Sequence, residues 1–259
     1  MLFRSIAFRH EVEAVLEALR DAGTLMRTGN EYALETTEGR EWRLALGRER
    51  IALRNDAVAT NSKRLEAIRA AVTRAGQGAK SVAQGSEQRA IDYRYDHILP
   101  VADDKIVVWV RGAWDVATGD FESSARAAGQ DSPIVHVLVP NPDGEALQNA
   151  IIDREAAIAT LGKMPAGASP AAAEARKSTE TLRDEAAREV TRVVDGLVAR
   201  ATVALGGGTT ISGATFADRI RDAGSRAAVS VQNESLLMDS LNPDHPPLIE
   251  TPAPRVWKF

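Results

Sequence analysis

Two short runs of apolar, mostly β-branched residues near the middle of the 259-residue chain constrain its fold most strongly. Residues 105–110 read KIVVWV and residues 133–139 read PIVHVLV. Each run has the length of one strand but lacks the alternation of polar and apolar residues that is typical of a strand with one solvated face. Both are therefore predicted to be strands buried on two faces, in a small sheet that helices cover.

The segments around these strands supply the predicted helices. Aromatic residues make up only 5% of the chain and alanine is frequent, which favours helices over a β-sandwich. A short helix is predicted over residues 121–128, and longer helices over 143–161, 171–205 and 214–229. Residues 91–95 alternate and predict a further strand. The expected fold class is α+β: a partial winged helix followed by a mixed α/β unit with a small sheet and long helices.

The partial winged helix is predicted from the N-terminal residues. Residues 9–22 have the pattern of an amphipathic helix, whose apolar stripe consists of Val12, Val15, Leu16 and Leu19. Two short β-prone segments follow at 24–27 and 31–35, and Gly29-Asn30 between them suits a tight hairpin. A helix followed by a two-stranded wing is the second half of a winged helix. Because only eight residues precede this helix, we expect the first part of the domain to be missing.

A new helix is predicted to begin near Glu38, where either Thr36 or Thr37 can cap its first turn. From residue 40 to residue 94 the chain carries twelve Lys and Arg against six Asp and Glu, a local charge of +6. The whole chain has a net charge of −4, which excludes a strongly basic coat for nucleic acid but not a local basic face.

The arginines beside the predicted wing are the candidate DNA-contacting residues, because they are placed to hold phosphate oxygens. They are Arg27, Arg40, Arg43, Arg48 and Arg50. The first helix is acidic on its outer face, which opposes DNA binding. Contact with double-stranded DNA and a structural or protein-docking role therefore both stay open for this module.

Four segments are predicted along the chain: a partial winged-helix module over 1–48, a basic helical connector over 49–88, an α/β domain with long helices over 89–242 and an irregular tail over 243–259. The connector ends in the glycine-rich sequence GQGAKSVAQG. The tail is rich in proline, which disfavours regular structure.

No catalytic or metal-binding constellation is predicted. The absence of cysteine excludes disulfides, thiol catalysis and cysteine-ligated metals. The four histidines lack metal-motif spacing, and His136 is predicted to be a hydrogen-bonded core residue of its strand. Asp103-Asp104 is predicted to be a turn, and Ser123-Ser124 lacks the GxSxG pattern of a nucleophile elbow. We therefore expect no enzyme activity and no cofactor in this chain.

Residues 208–215, GTTISGAT, have the glycine spacing of a phosphate-binding loop. Ala214 stands where such a loop needs lysine. A glycine helix stop followed by a capped helix is the favoured interpretation, and a nucleotide site is the alternative.

Longer blocks of sequence resemble one family. VWVRGAW (108–114), ARAAGQDSPIVHVLVP (125–140), the stretch from EALQNAIIDREAAIATL to RDEAAREV (145–190) and ATVALGGG (201–208) resemble the large P-loop ATPase of bacterial BREX phage-defence systems, of the BrxC/PglY type. LEALRDAGTLMRTGNEYALETTEGREWRLAL (16–46) resembles the winged-helix stretch that follows the ATPase core in that family.

The resemblance implies an internal, non-catalytic segment of an antiphage-defence ATPase that positions DNA or a partner protein relative to the motor. ATP and Mg²⁺ belong to the parent family's P-loop, which lies upstream of the matched region. The implied partners are other BREX components or the rest of the ATPase, with double-stranded DNA as a further candidate. The alternative is a stand-alone winged-helix DNA-binding regulator with a helical dimerisation domain.

The expected location is the cytoplasm, with no membrane partner. No apolar run approaches the about 20 residues that a membrane helix requires. The first ten residues, MLFRSIAFRH, are too short and too charged for a signal peptide.

Overall fold

The structure is a computed structural model that describes residues 2–28, 31–34, 36–84, 87–101, 105–164, 167 and 169–241. These residues form a mixed α/β fold with seven α-helices and two sheets. The helices are α1 (Leu2–Asp21), α2 (Thr37–Asn55), α3 (Ala57–Ala75), α4 (Thr118–Ala127), α5 (Gly144–Lys163), α6 (Pro170–Ala199) and α7 (Phe216–Leu241). The strands are β1 (Leu25–Thr28), β2 (Glu31–Leu34), β3 (Ser81–Gln84), β4 (Glu87–Arg94), β5 (Ile106–Gly112), β6 (Ile134–Val139), β7 (Thr202–Ala204) and β8 (Thr210–Ile211).

The chain divides into two compact units that alternate along the sequence. The first unit comprises the residues up to Arg74 and those from Pro142 to Val198. The second comprises Ala75 to Asn141 and the residues from Ala199 onward. Each unit therefore contains two separate stretches of the chain.

Helices dominate the first unit. Strands β1 and β2 pair antiparallel, with Arg27 opposite Tyr32. Helix α2 packs along α5, and Arg50 of α2 forms an ion pair with Asp153 of α5 at 2.7 Å. Arg74 of α3 reaches Asp195 of α6 at the same distance. These ion pairs join helices that are far apart in the sequence.

The second unit is built on a six-stranded sheet in the order β3-β4-β5-β6-β7-β8. The three central strands β4, β5 and β6 run parallel, and the outer pairings are antiparallel. Helix α4 connects β5 to β6 and packs against β6 through Phe121, whose ring lies 6.3 Å from that of His136. Helix α7 covers the other face, where Gly224 approaches Ile106. Side chains of Ile106 and Trp109 alternate to opposite faces, so helices cover both sides of β5.

This arrangement confirms the prediction of a sheet covered by helices. Strands β5 and β6 are buried along nearly their whole length. Helices α4 and α5 lie within a few residues of the predicted ranges. The helix–hairpin–helix order at the N-terminus is present, whereas the assignment of a winged helix stays a prediction.

One predicted helix boundary is wrong. The helix predicted over 171–205 ends at Ala199, and strand β7 follows it. The alanine- and valine-rich sequence after Ala199 continues the composition of the helix. The helix nevertheless ends there, where Arg219 of α7 donates to the carbonyl oxygens of Ala199 and Ala201 and satisfies these backbone acceptors. The apolar stripe predicted on α1 is only partly covered: the exposed fractions of Val12, Val15 and Leu19 are 39%, 54% and 39%. Among the described elements α1 packs mainly against β1.

Three predicted features lie outside the residues that the structure describes: the Gly29-Asn30 turn, the Asp103-Asp104 pair and the proline-rich tail.

Candidate functional site

Helix α2 carries most of the arginines that the sequence singled out. Its N-terminus is fixed by Thr36, whose hydroxyl oxygen accepts a hydrogen bond from the Gly39 backbone N–H at 3.0 Å. Of the two candidate threonines, Thr36 is therefore the cap and Thr37 the first helical residue. The cap orients a helix of 19 residues that ends at Asn55.

One face of α2 is buried. Gly39, Trp42 and Ala45 have little or no exposed surface, and α5 packs along the helix. Lys163 of α5 donates to both carboxylate oxygens of Glu49 at 2.7 and 2.8 Å. The packing and this ion pair fix which residues of α2 point away from the first unit.

The opposite face of α2 is exposed, and we call it the arginine face. It consists of four arginines around two aliphatic side chains: Arg40, Arg43, Arg48, Arg54, Leu44 and Ile51. Successive helix positions are about 100° apart, which brings these six side chains to the side opposite Trp42. The exposed fractions of Leu44 and Ile51 are 54% and 61%. Between them lies Gly47, where an added Cβ would meet no atom within 4 Å.

Four of the six side chains of the arginine face are arginines, and Arg40 and Arg43 already take part in interactions of their own. Arg48 and Arg54 form no ion pair with another residue among those described, and Glu41 is the acidic residue nearest its edge on the exposed side of the helix. A guanidinium group presents a fork of N–H donors that matches a carboxylate or a phosphate. The arrangement can therefore bind an anionic surface, and it holds no group that could act as a nucleophile.

The five predicted DNA-contacting residues fall into two groups. Arg40, Arg43 and Arg48 lie on the arginine face, where Arg40 and Arg43 also have interaction partners. Arg50 is half-buried and bound to Asp153 of α5, so its charge is used within the first unit. Arg27 of β1 is also engaged.

A small network around Glu17 of α1 holds Arg27. Glu17 accepts hydrogen bonds from Arg27 at 3.3 Å and from the Tyr32 hydroxyl at 2.6 Å, and it is also paired with Arg20. The hydrogen bond to Glu17 raises the pKa of Tyr32. Because this carboxylate neutralises Arg27, the hairpin contributes little free positive charge to the arginine face.

Sequence reasoning missed three members of the arginine face. Arg54 was not singled out, although it lies on the same helical face as Arg40 and Arg43 at a spacing of 14 and 11 residues. Leu44 and Ile51 were not predicted to be exposed. A helical projection of residues 40–54, started at the Thr36 cap, would have grouped all three with the arginines.

The phosphate-loop candidate at 208–215 is a structural turn. Gly206, Gly207 and Gly208 form one turn of 3-10 helix between β7 and β8, and Gly207 and Gly208 have φ angles of +76° and +85°. A side chain at Gly206 would overlap the Gly129 carbonyl and Ser132. The glycines are thus explained by positive φ and by close packing against the loop before β6.

The start of α7 is already capped by its own side chains. The Thr215 hydroxyl donates to the Asp218 carboxylate at 2.7 Å and accepts from the Asp218 backbone N–H at 3.1 Å. These hydrogen bonds, together with Arg221, hold the pKa of Asp218 below its usual value. An ionised carboxylate therefore already occupies the anion-favouring end of the helix. Of the favoured interpretation, a glycine helix stop followed by a capped helix, the capped helix is present, but the glycines follow strand β7 and do not end a helix.

His136 is a buried strand residue, as predicted, but the expectation that its nitrogens are hydrogen-bonded is wrong. Neither ring nitrogen has a hydrogen-bond partner among the described residues. The imidazole meets Trp109 edge-on at 5.6 Å between ring centroids. Burial lowers the pKa of His136 to about 4.

The described residues contain no group of three or more His, Asp or Glu side chains placed to hold a metal ion. No helix among them combines the length and apolar character needed to cross a membrane.

Comparison of the chain with protein-family models, with curated proteins and with solved structures finds no match.

Proposed function

We propose that this chain is a non-catalytic segment of a BREX-type antiphage-defence ATPase that positions an anionic partner, DNA or protein, relative to the motor. The observation that carries the proposal is the arginine face of α2, which exposes four guanidinium groups around two aliphatic side chains. The family part of the proposal rests on the sequence blocks that resemble the BREX ATPase. The cytoplasm is the proposed location.

The geometry favours binding over chemistry at this face. Arginine side chains bind carboxylates and phosphates through paired hydrogen bonds. Exposed Leu44 and Ile51 add apolar contact area, and aliphatic patches among charged residues are typical of surfaces that bind a partner.

The alternative is a winged-helix DNA-binding regulator. The order α1, β1–β2 hairpin, α2 favours it. In a winged helix the helix before the wing enters the major groove, but that helix here carries Glu11, Glu13, Glu17 and Asp21. Acidic side chains repel phosphates, so we propose α2 and not α1 as the DNA-facing element if DNA is the partner.

Titration of a labelled DNA duplex at two salt concentrations, about 50 and 200 mM, tests DNA as that partner. If α2 contacts phosphates, affinity falls with salt, and the double variant Arg40→Ala/Arg43→Ala lowers the slope of log affinity against log salt by about 2. Arg226→Ala, which removes an exposed arginine from α7, is the matched control and should leave the slope unchanged. No binding at the lower salt would exclude DNA and leave a protein as the proposed partner.

Calorimetry with MgATP tests the non-catalytic part of the proposal. We expect no heat of binding. Saturable, magnesium-dependent binding of ATP would contradict it.

The gene neighbourhood tests the family part of the proposal. We expect BREX genes alongside this gene and an upstream reading frame that encodes a P-loop.

A further inference from the structure

His136 of β6 is a buried titratable side chain that the proposed function does not use. It has no exposed surface, and neither ring nitrogen has a hydrogen-bond partner among the described residues. The Trp109 ring meets the imidazole edge-on at 5.6 Å between centroids, and the Phe121 ring does so at 6.3 Å. A buried polar group without a partner costs free energy, and a buried charge without one costs far more. This packing therefore accommodates the imidazole only in its neutral form.

The described elements that pack against β6 bring no opposite charge to this ring. Strand β7 and the glycine turn at 206–208 contain no charged residue, and α7 covers the other face of the sheet. On β5, the guanidinium of Arg111 lies 4.8 Å from the centre of the Trp109 ring and adds a positive charge, not a negative one. The charged residues of α4 are exposed, and Arg126 is bound to Glu122 there; they are Asp120, Glu122 and Arg126. A protonated His136 thus gains stabilisation only by reaching water.

Helix α4 is the element around His136 that can leave without breaking the sheet. It has ten residues, of which Phe121 and Ala125 are buried, and no side chain caps its N-terminus. These two residues pack against Leu138 and Ala204, and the end of the helix contacts the glycine turn. Strand β6, in contrast, is paired with β5 on one side and with β7 on the other. Segments held by few buried side chains open locally at a lower cost than the core of a fold.

We infer that His136 is an acid-sensitive latch for helix α4. While the imidazole is neutral, α4 stays packed on β6. When a ring nitrogen takes up a proton from solvent, α4 leaves the sheet and water reaches the ring. The proton is lost again when the pH rises, and the helix returns. The latch lies in the second unit and is separate from the arginine face, so it adds a conformational response to acid to the proposed function.

The size of the response follows from the affinity of the ring for the proton in the two states. Burial lowers the pKa of His136 to about 4, and an imidazole in water has a pKa of 6.5. The open form therefore binds the proton more tightly, and acid shifts the population towards it. These two values give a rise of about 30-fold in the equilibrium constant for opening between about pH 7.5 and about pH 5.

Hydrogen exchange of the backbone amides of α4, measured on the full chain at both pH values, tests this inference. Rates are divided by the intrinsic rate at the same pH, which leaves the protection of each amide. The test variant is His136→Leu, which removes the titrating group. If it does not fold, His136→Gln gives the same readout, because an amide side chain does not titrate. His97→Gln, at an exposed histidine, is the matched control.

We expect the protection of the α4 amides in wild type and in His97→Gln to fall about 30-fold from about pH 7.5 to about pH 5. It should stay constant in His136→Leu. The α4 amides should also be less protected than those of β5 at both pH values, because the sheet stays formed when α4 opens. Two results would overturn the inference: a fall that is absent from wild type or equal in His136→Leu, or one common protection for α4 and β5, which would mean that the helix and the sheet open together.

Discussion

At the scale of single residues, His136 is the clearest case of a side chain whose chemistry is set by its surroundings. It lies on β6 between the Trp109 and Phe121 rings, with no exposed surface and no hydrogen-bond partner among the described residues. A charged imidazole would lose its hydration there without gaining a partner, so the neutral form is favoured. The sequence predicted burial from the apolar strand, but the missing partner depends on which rings α4 and β5 bring to this place.

The stability of the protein should therefore fall in mild acid. The pKa of His136 is about 4 in the fold and 6.5 in an unfolded chain, so between these values the unfolded state binds the proton more readily. The contribution of His136 to the free energy of unfolding is fully present above its pKa in the unfolded chain, 6.5, and is lost as the pH falls towards its pKa in the fold, about 4. At about pH 5 this loss is about 2 kcal/mol.

Denaturant unfolding of wild type and of His136→Leu at neutral pH and at about pH 5 measures this contribution. The variant should lack that part of the loss in acid. It should also be about as stable as wild type at neutral pH, since it removes two unpaired nitrogens from an apolar site. Equal losses of stability in the two proteins would show that His136 does not titrate as described.

At the scale of elements, α2 shows how one helix separates support from binding. The Thr36 cap and the ion pair between Arg50 and Asp153 hold it in the first unit. Its other side exposes arginines and two aliphatic residues. The sequence predicted the helix and its capped start, because these depend on local chemistry. A helical projection groups Leu44 and Ile51 with the arginines, but whether this face is exposed depends on where α5 packs.

A matched pair of isoleucines tests this orientation. Ile68 of α3 is buried at 1% exposure and Ile51 of α2 is 61% exposed. We expect Ile68→Ala to lower the free energy of unfolding by about 2 to 5 kcal/mol, because it leaves a cavity. Ile51→Ala should change it by less than about 0.5 kcal/mol. Urea unfolding curves compare the two; similar losses would mean that Ile51 belongs to a core and that the arginine face is not exposed as described.

At the scale of the whole molecule, local patterns predicted the centre of the sheet better than its edge. Strands β5 and β6 have strong apolar runs and were predicted. Strands β7 and β8 have three and two residues and no readable period, and the alanine-rich composition before them continues that of α6. Strand β7 pairs with the edge of β6, and β8 in turn pairs with β7. Such long-range pairing is invisible to a local window.

The division into two units also depends on contacts between residues that are far apart in the sequence. Residues 142–198 join the N-terminal helices, and residues from 199 onward return to the sheet. The contacts responsible, such as Arg74 with Asp195 and Arg221 with the Gly78 carbonyl, join residues more than 100 positions apart. No hydrophobic period or turn signal encodes them, so the interleaving could not be derived from the sequence.

Sedimentation velocity most directly tests the arginine face as the binding surface of this protein. Wild type is compared with the quadruple variant Arg40→Ala/Arg43→Ala/Arg48→Ala/Arg54→Ala, each with and without a labelled duplex at low and high salt. The prediction is that wild type sediments with the duplex at low salt, and that the quadruple variant, with an unchanged circular dichroism spectrum, does not. Equal sedimentation of the two proteins under every condition would contradict a binding role for α2.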